Sequence, residues 1–421
     1  MGTQLVDSKR HLALKKYHIS EEYGFVLPKP LTELPPYFKP WMDIAGRVSE
    51  LISEHSLRSL VHELPLLETD SLQSHHELRL AHLALSVITM GYVWQEGENN
   101  PVKVLPHNLA VPYWVISQKL GLPPILTHAD GVLANWRKKD PAGSMDIENL
   151  ELLFCLPGGK NARGFFLVTL LVELAAVPGL KAIPDAINGV YDGDVTVVTR
   201  ALDVIAQAID NMKEALKGMH VHVDPSIFYG IMRIFLSGWK DNPTMAEGLV
   251  YEGVQAKPME YSGGSAAQSS LLHCLDELLG VKHEEKSGAF LTRMQGYMPP
   301  SHKRFIEDIS SSPSLRDFVL KRGDESLTKA FQCCVDRLVA FRNYHINIVS
   351  RFISIPAARA RQLRASSSAS QEEHDPVGRA PTALEERGTG GSGIMSFLKV
   401  VRNQTKDVLI KPSTTENGYD L

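Results

Sequence analysis

Apolar residues recur every three or four positions along most of this chain, the spacing that lines one face of an α-helix, and beyond residue 164 no useful run alternates with a period of two. The pattern predicts helices over 41–55, 57–64 and 72–94, then over 165–176, 195–219, 225–239, 266–279, 290–298, 325–355 and 394–408. Asp70, Asp224 and Asp324 stand where a side-chain oxygen can cap the helix that follows, and Pro225 suits a first helical turn. Pro-rich stretches (GFVLPKP, LPPYFKP) make the first 35 residues an extended arm, and LPHNLAVPYW, LGLPPIL and KKDPAG cut 101–157 into short pieces. From about 357 to 393 the composition turns to Ser, Arg, Glu, Gly and Pro, as in a flexible loop. The fold class expected is mainly α: a smaller mixed N-terminal domain over 1–157 and a large all-helical domain over 158–421 that carries the loop.

Two polar residues interrupt the apolar stripe of the helix over 325–355. The stripe runs through Leu327, Phe331, Val335 and Leu338, meets Arg342 and His345, and resumes at Ile348 and Phe352. An inward guanidinium needs an anion, and Asp276, one turn before Gly280, is a candidate. An inward imidazole needs a backbone carbonyl or a metal, and periodicity does not choose between them. A second inward arginine lies in IFYGIMRIFLSGWKDNP, where Tyr229, Arg233 and Ser237 follow at intervals of four. Such an arginine pairs with a carboxylate of the protein or with that of an aromatic ligand. The small residues of YSGGSAAQSS allow close backbone approach before the next helix, in a site or in a capping loop.

Composition removes several classes of function. A formal net charge of -4 with no basic stripe argues against nucleic-acid binding. Cys155, Cys274, Cys333 and Cys334 form no CxxC pair and read as reduced thiols of a cytoplasmic protein. The N-terminus lacks the apolar core of a signal sequence, and the run 165–172 is too short for a membrane span. GGSAA lacks the last glycine of a nucleophile elbow, and no phosphate-loop GK[ST] follows any glycine cluster. His220 and His222 have no helical carboxylate partner, so a polar connection competes with a metal pair there.

The segments HISEEYGF, ITMGYVWQEG, PPILTHADGVLANWRKKDP, RGFFLV, IFYGIMRIFLSGWKDNP, GGSAAQSS, YMPPSHKRFIEDI, RNYHINIV and RGTGGSG occur in an order that resembles the indoleamine 2,3-dioxygenases over nearly the whole chain. The resemblance implies one haem b per chain between the small and large domains, with His345 as proximal iron ligand and Arg342 and Asp276 paired nearby. Gly264 and Ser237 are assigned to the cofactor side on the same ground. It implies that Phe165, Thr169, Phe228 and His128 form the indole pocket and that Arg233 takes the substrate carboxylate. Ser265 and Ala266 would lie beside the substrate amine, and Thr389, with Gly390 and Gly391, in a loop closing over the site. The reaction implied opens the indole ring of L-tryptophan with O2 to N-formylkynurenine, without an acid or base from the protein and with an electron donor that keeps the iron ferrous.

Four positions depart from the efficient branch of that family. His128 stands for Tyr, Gly131 for Cys, Thr169 for Ser and Tyr229 for Phe, and His128, Thr169 and Tyr229 follow the second branch. Weak tryptophan affinity is the expectation. A different class of function remains open, since the segments around Tyr113 and Tyr251 fit the loose pattern of tyrosine motifs read by phosphatase SH2 domains. A haem-dependent binder or redox protein is a third reading.

Overall fold

The computed structural model describes residues 11–365, 375–385, 387–388 and 393–410. Thr389, Gly390 and Gly391 lie outside the described residues.

Helices dominate throughout. In the N-terminal third, α1 (Lys39–Gly46), α2 (Val48–Ser53) and α3 (Leu57–Glu63) lead to α4 (His75–Trp94). The single helix expected over 41–55 breaks at Arg47, and Asp70 does not cap α4. Ser74 and Glu77 instead form a reciprocal capping box that starts the helix later. Next come β1 (Val104–Leu105), α5 (His107–Leu120), α6 (His128–Gly131), β2 (Arg137–Lys138) and β3 (Leu150–Glu151). β2 pairs antiparallel with β3, whereas β1 pairs in parallel with β4 (Val250–Tyr251), far along the chain.

The helical part contains α7 (Lys160–Ala175), α8 (Val177–Asp192), α9 (Val195–Leu216), α10 (Met219–His222) and α11 (Pro225–Ile227). After β4 follow α12 (Ser270–Leu279), α13 (Glu285–Gln295), α14 (Pro300–Ser310), α15 (Leu315–Arg322) and α16 (Glu325–Val349), then α17 (Ile355–Ala365) and α18 (Ile394–Lys406). α8, α14 and α15 are not among the predicted helices; the prolines in the first turns of α8 and α14 remove no helical hydrogen bond, and α8 also accommodates Pro184 in its interior. α9 is the central helix, packed on α7, α8 and α16, and α18 lies along α16. The span Lys160–Asp192 is long and apolar enough to cross a membrane, but 61% of its apolar window is buried against the rest of the fold.

The loop expected over 357–393 begins later than predicted. A turn with π spacing, Ser350–Ser354, joins α16 to α17, and the Ala, Arg and Leu residues of α17 keep the chain helical to Ala365. Residues 375–385 then form a strap of two short 3-10 turns, Pro376–Arg379 and Thr382–Leu384, to which residues 387 and 388 also belong. Asp375 pairs with Arg359 at 2.5 Å and Glu385 with Arg364. The Thr382 N–H donates to Glu98 at 2.7 Å. The strap crosses Gly230 so closely that a Cβ there would meet the Pro376 carbonyl at 1.8 Å, which only glycine allows.

Tyr113 and Tyr251 are fully buried. The Tyr113 hydroxyl bonds Ser86 Oγ at 2.6 Å, and that of Tyr251 donates to the Pro124 carbonyl at 2.6 Å. Neither ring is open to a kinase or an SH2 domain in this fold.

Candidate functional site

Asp324 caps α16 by accepting from the Leu327 N–H at 2.8 Å, which sets the phase of the predicted stripe. Arg342 is 7% exposed and donates to Asp276 Oδ2 at 2.8 Å and to Thr405 Oγ1 on α18. The same Asp276 oxygen meets His283 Nε2 at 3.0 Å, and His283 Nδ1 meets Gln404 Oε1 at 2.9 Å. Burial pushes the Asp276 carboxyl up, but the charge of Arg342 and the two hydrogen bonds outweigh it and hold the group at about 2. The partner proposed for Arg342 is therefore the one the fold supplies, and α12, α16 and α18 are tied together behind His345.

His345 faces a cavity of about 250 Å³ with mostly apolar walls. Among the described residues its ring makes no hydrogen bond, so the backbone-carbonyl alternative is not realised. Burial and the positive Arg342 push its pKa down to about 4. The ring is neutral at physiological pH and keeps a nitrogen lone pair.

The opposite elements bring an aromatic pair and a second arginine to the same cavity. Phe165 on α7 and Phe228 lie with ring centroids 5.0 Å apart and planes tilted by 36°. The helix expected over 225–239 is not regular. Phe228–Met232 has π spacing and Arg233–Leu236 is 3-10. The π turn places Phe228 and Arg233, five residues apart, on one wall. Tyr229, four residues before Arg233, lies under the guanidinium as the spacing of four predicts, with its ring centroid 4.9 Å away. Arg233 is 1% exposed. Its Nη2 donates to the strap carbonyls of Leu384, at 2.8 Å, and Arg387, at 2.5 Å, while Nε and Nη1 have no hydrogen-bond partner among the described residues. Burial lowers its pKa to about 10, so it stays charged. Half of a buried cation is thus left for an anion.

His128 enters from α6, a one-turn helix held by a buried network. Thr127 and Asp130 cap each other's ends, Asp130 meets His82 Nδ1 at 2.7 Å, and Arg79 donates to the Ala129 carbonyl at 2.7 Å. The His128 ring meets Glu173 Oε1 at 2.9 Å. Glu173 also lines the cavity and was not foreseen, although its place one turn after Thr169 on α7 was a signal. The Thr169 hydroxyl bonds the Phe165 carbonyl at 2.7 Å, within its own helix. A side chain at Gly131 would meet the Phe166 ring at 2.8 Å, so a cysteine there would require that ring to shift.

Gly264, Ser265 and Ala266 line the cavity as expected, and Ser265 caps the short turn Ala266–Gln268. Ser237 does not line it. Its hydroxyl donates to the Arg233 carbonyl at 2.7 Å, and its own carbonyl accepts from Trp94 Nε1 at 3.0 Å, so it braces the wall from behind. Among the described residues no three His, Cys, Asp or Glu side chains converge on a metal position, and His220 and His222 are no exception.

Comparison with known proteins agrees with this geometry. The profile "Indoleamine 2,3-dioxygenase" matches residues 13–408. The chain is 51% identical to indoleamine 2,3-dioxygenase 2 of Homo sapiens, covering 95% of this chain and 96% of that protein. It is 47% identical to indoleamine 2,3-dioxygenase 1 of Rattus norvegicus, over 94% and 96%. A protein named myoglobin from Haliotis madaka is 39% identical, over 94% and 99%. On this coverage and identity, the chain belongs to the indoleamine 2,3-dioxygenase family.

Proposed function

We propose that the protein is a haem-dependent dioxygenase that opens the indole ring of L-tryptophan with O2 to give N-formylkynurenine. The observation that carries this reading is one cavity walled by a neutral imidazole without a hydrogen-bond partner among the described residues, a buried guanidinium half-paired among them and a tilted aromatic pair. These residues fit haem. An iron held in a macrocycle needs one protein ligand, and His345 offers its lone pair without competition. Gly264, Ser265 and Ala266 leave room beside it. Haem bound there would supply an iron that activates O2.

The chain's own residues position and enclose the substrate. Arg233 binds the carboxylate through the nitrogens left free by the strap, and Phe165 and Phe228, packed on each other, present one apolar aromatic wall to the indole. Arg342, fixed by Asp276, keeps α16 and so His345 in place. The apolar walls exclude water. No acid–base step is assigned to the protein.

Thr169 and His128 narrow the indole side, so tryptophan binds weakly, because a methyl in such a wall is worth about 1 to 3 kcal/mol. The protein acts in the cytoplasm and depends on an electron donor to keep the iron ferrous. The relative named as a myoglobin favours a second reading, a haem protein that binds O2 without turnover. One purified sample separates the two: a haem spectrum with reductant and carbon monoxide, followed by an assay for N-formylkynurenine. Haem with product supports the dioxygenase, and haem without product supports the binder.

A further inference from the structure

We propose that Glu173 is a positioning residue of the indole wall, fixing the ring of His128 and acting on bound substrate through that ring. This rests on the dioxygenase reading above for its kinetic test. Glu173 is 7% exposed and follows Thr169 by one turn of α7. A single carboxylate oxygen, Oε1, accepts from Ser269 Oγ at 2.5 Å and meets His128 Nε2 at 2.9 Å. Three walls of the cavity, α7, α6 and the segment before α12, therefore converge on one atom. A carboxylate oxygen only accepts, so in its contact with the Glu173 carboxylate His128 Nε2 is the donor, and the tautomer protonated only at Nδ1 does not make that bond.

The backbone around His128 is fixed independently. The His128 N–H donates to Gln268 Oε1 at 3.0 Å, and Gln268 Nε2 donates to the Gly263 carbonyl at 3.0 Å. What remains free is the ring torsion, which for histidine is broad and roughly two-fold. Among the described residues the His128 ring hydrogen-bonds no side chain but Glu173, so that carboxylate sets its orientation. Without that carboxylate the ring samples several orientations and the indole meets a wall of variable shape. A buried glutamate that merely needed partners would affect stability but not tryptophan through His128.

A double-mutant cycle on the haem-loaded full chain tests this. Glu173→Ala raises the tryptophan KM about tenfold with kcat nearly unchanged, and in a His128→Phe background the same change raises it less than about twofold. Glu173→Gln, whose amide oxygen can still accept both donors, falls between wild type and Glu173→Ala. Equal KM increases in the two backgrounds overturn the proposal. Nitrogen-15 spectra of histidine-labelled protein, as purified and with carbon monoxide where haem is present, give a readout without turnover. A protonated Nε2 of His128, assigned by its loss in His128→Phe, becomes averaged between both nitrogens in Glu173→Ala. A ring signal unchanged by Glu173→Ala also overturns the proposal. If no variant makes product while the ring signal shifts as expected, the positioning role stands and the dioxygenase reading fails.

Discussion

Arg342 and Arg233 are both buried guanidinium groups, 7% and 1% exposed, in opposite circumstances. Arg342 meets a carboxylate and a hydroxyl on two other helices. Among the described residues Arg233 meets no carboxylate: two strap carbonyls accept from one nitrogen, the Tyr229 ring lies beneath it, and Nε and Nη1 have no hydrogen-bond partner. Burying a cation without an anion is costly, so a fold selected for stability alone would not leave Arg233 this way. The first arginine belongs to the framework that holds His345, and the second waits for a ligand. Removing each should therefore damage a different property.

The largest effect expected is on the framework. Asp276→Ala leaves Arg342 buried and unpaired and lowers unfolding free energy by about 3 to 5 kcal/mol, read by urea denaturation. Arg233→Ala changes stability little but raises the tryptophan KM about 10- to 100-fold, the worth of a charge-assisted pair. A variant at 233 that lost as much stability as Asp276→Ala would erase the distinction.

The comparison sharpens with pH. The Asp276 carboxyl is held at about 2 in the folded state, against about 3.9 in an unfolded chain. Between these values the unfolded state binds more protons. The contribution is complete above about pH 4 and is lost as pH falls through 2, a difference of roughly 2 to 3 kcal/mol. Asp276→Asn removes that part of the slope, and Arg233→Ala leaves it. The smallest effect is at the indole wall, where Thr169→Ser removes one methyl and lowers the tryptophan KM by about tenfold or less, with stability nearly unchanged.

The framework was more legible in the sequence than the site. Inward Arg342 and His345 follow from helical periodicity, and Asp276 was reachable because a buried arginine needs an anion. Around Arg233 the spacing of four gave its neighbour Tyr229, but the π turn that also brings Phe228 onto the same wall leaves no mark in the apolar pattern. The contact of His128 with Glu173 joins residues 45 positions apart, beyond the reach of periodicity. α8 and α14, which carry prolines in their first turns, were not predicted, and helix-forming Ala, Arg and Leu carried α17 into the stretch expected as a loop. The family resemblance supplied the role of His345, which spacing had left between a carbonyl and a metal.

That role is open to a direct measurement: the absorption spectrum of the purified protein, reduced and exposed to carbon monoxide, beside His345→Ala prepared identically. The account predicts a haem band at about one equivalent per chain in the first sample and its loss in the second. A first sample that takes up no haem, or a second that retains it unchanged, would contradict the account.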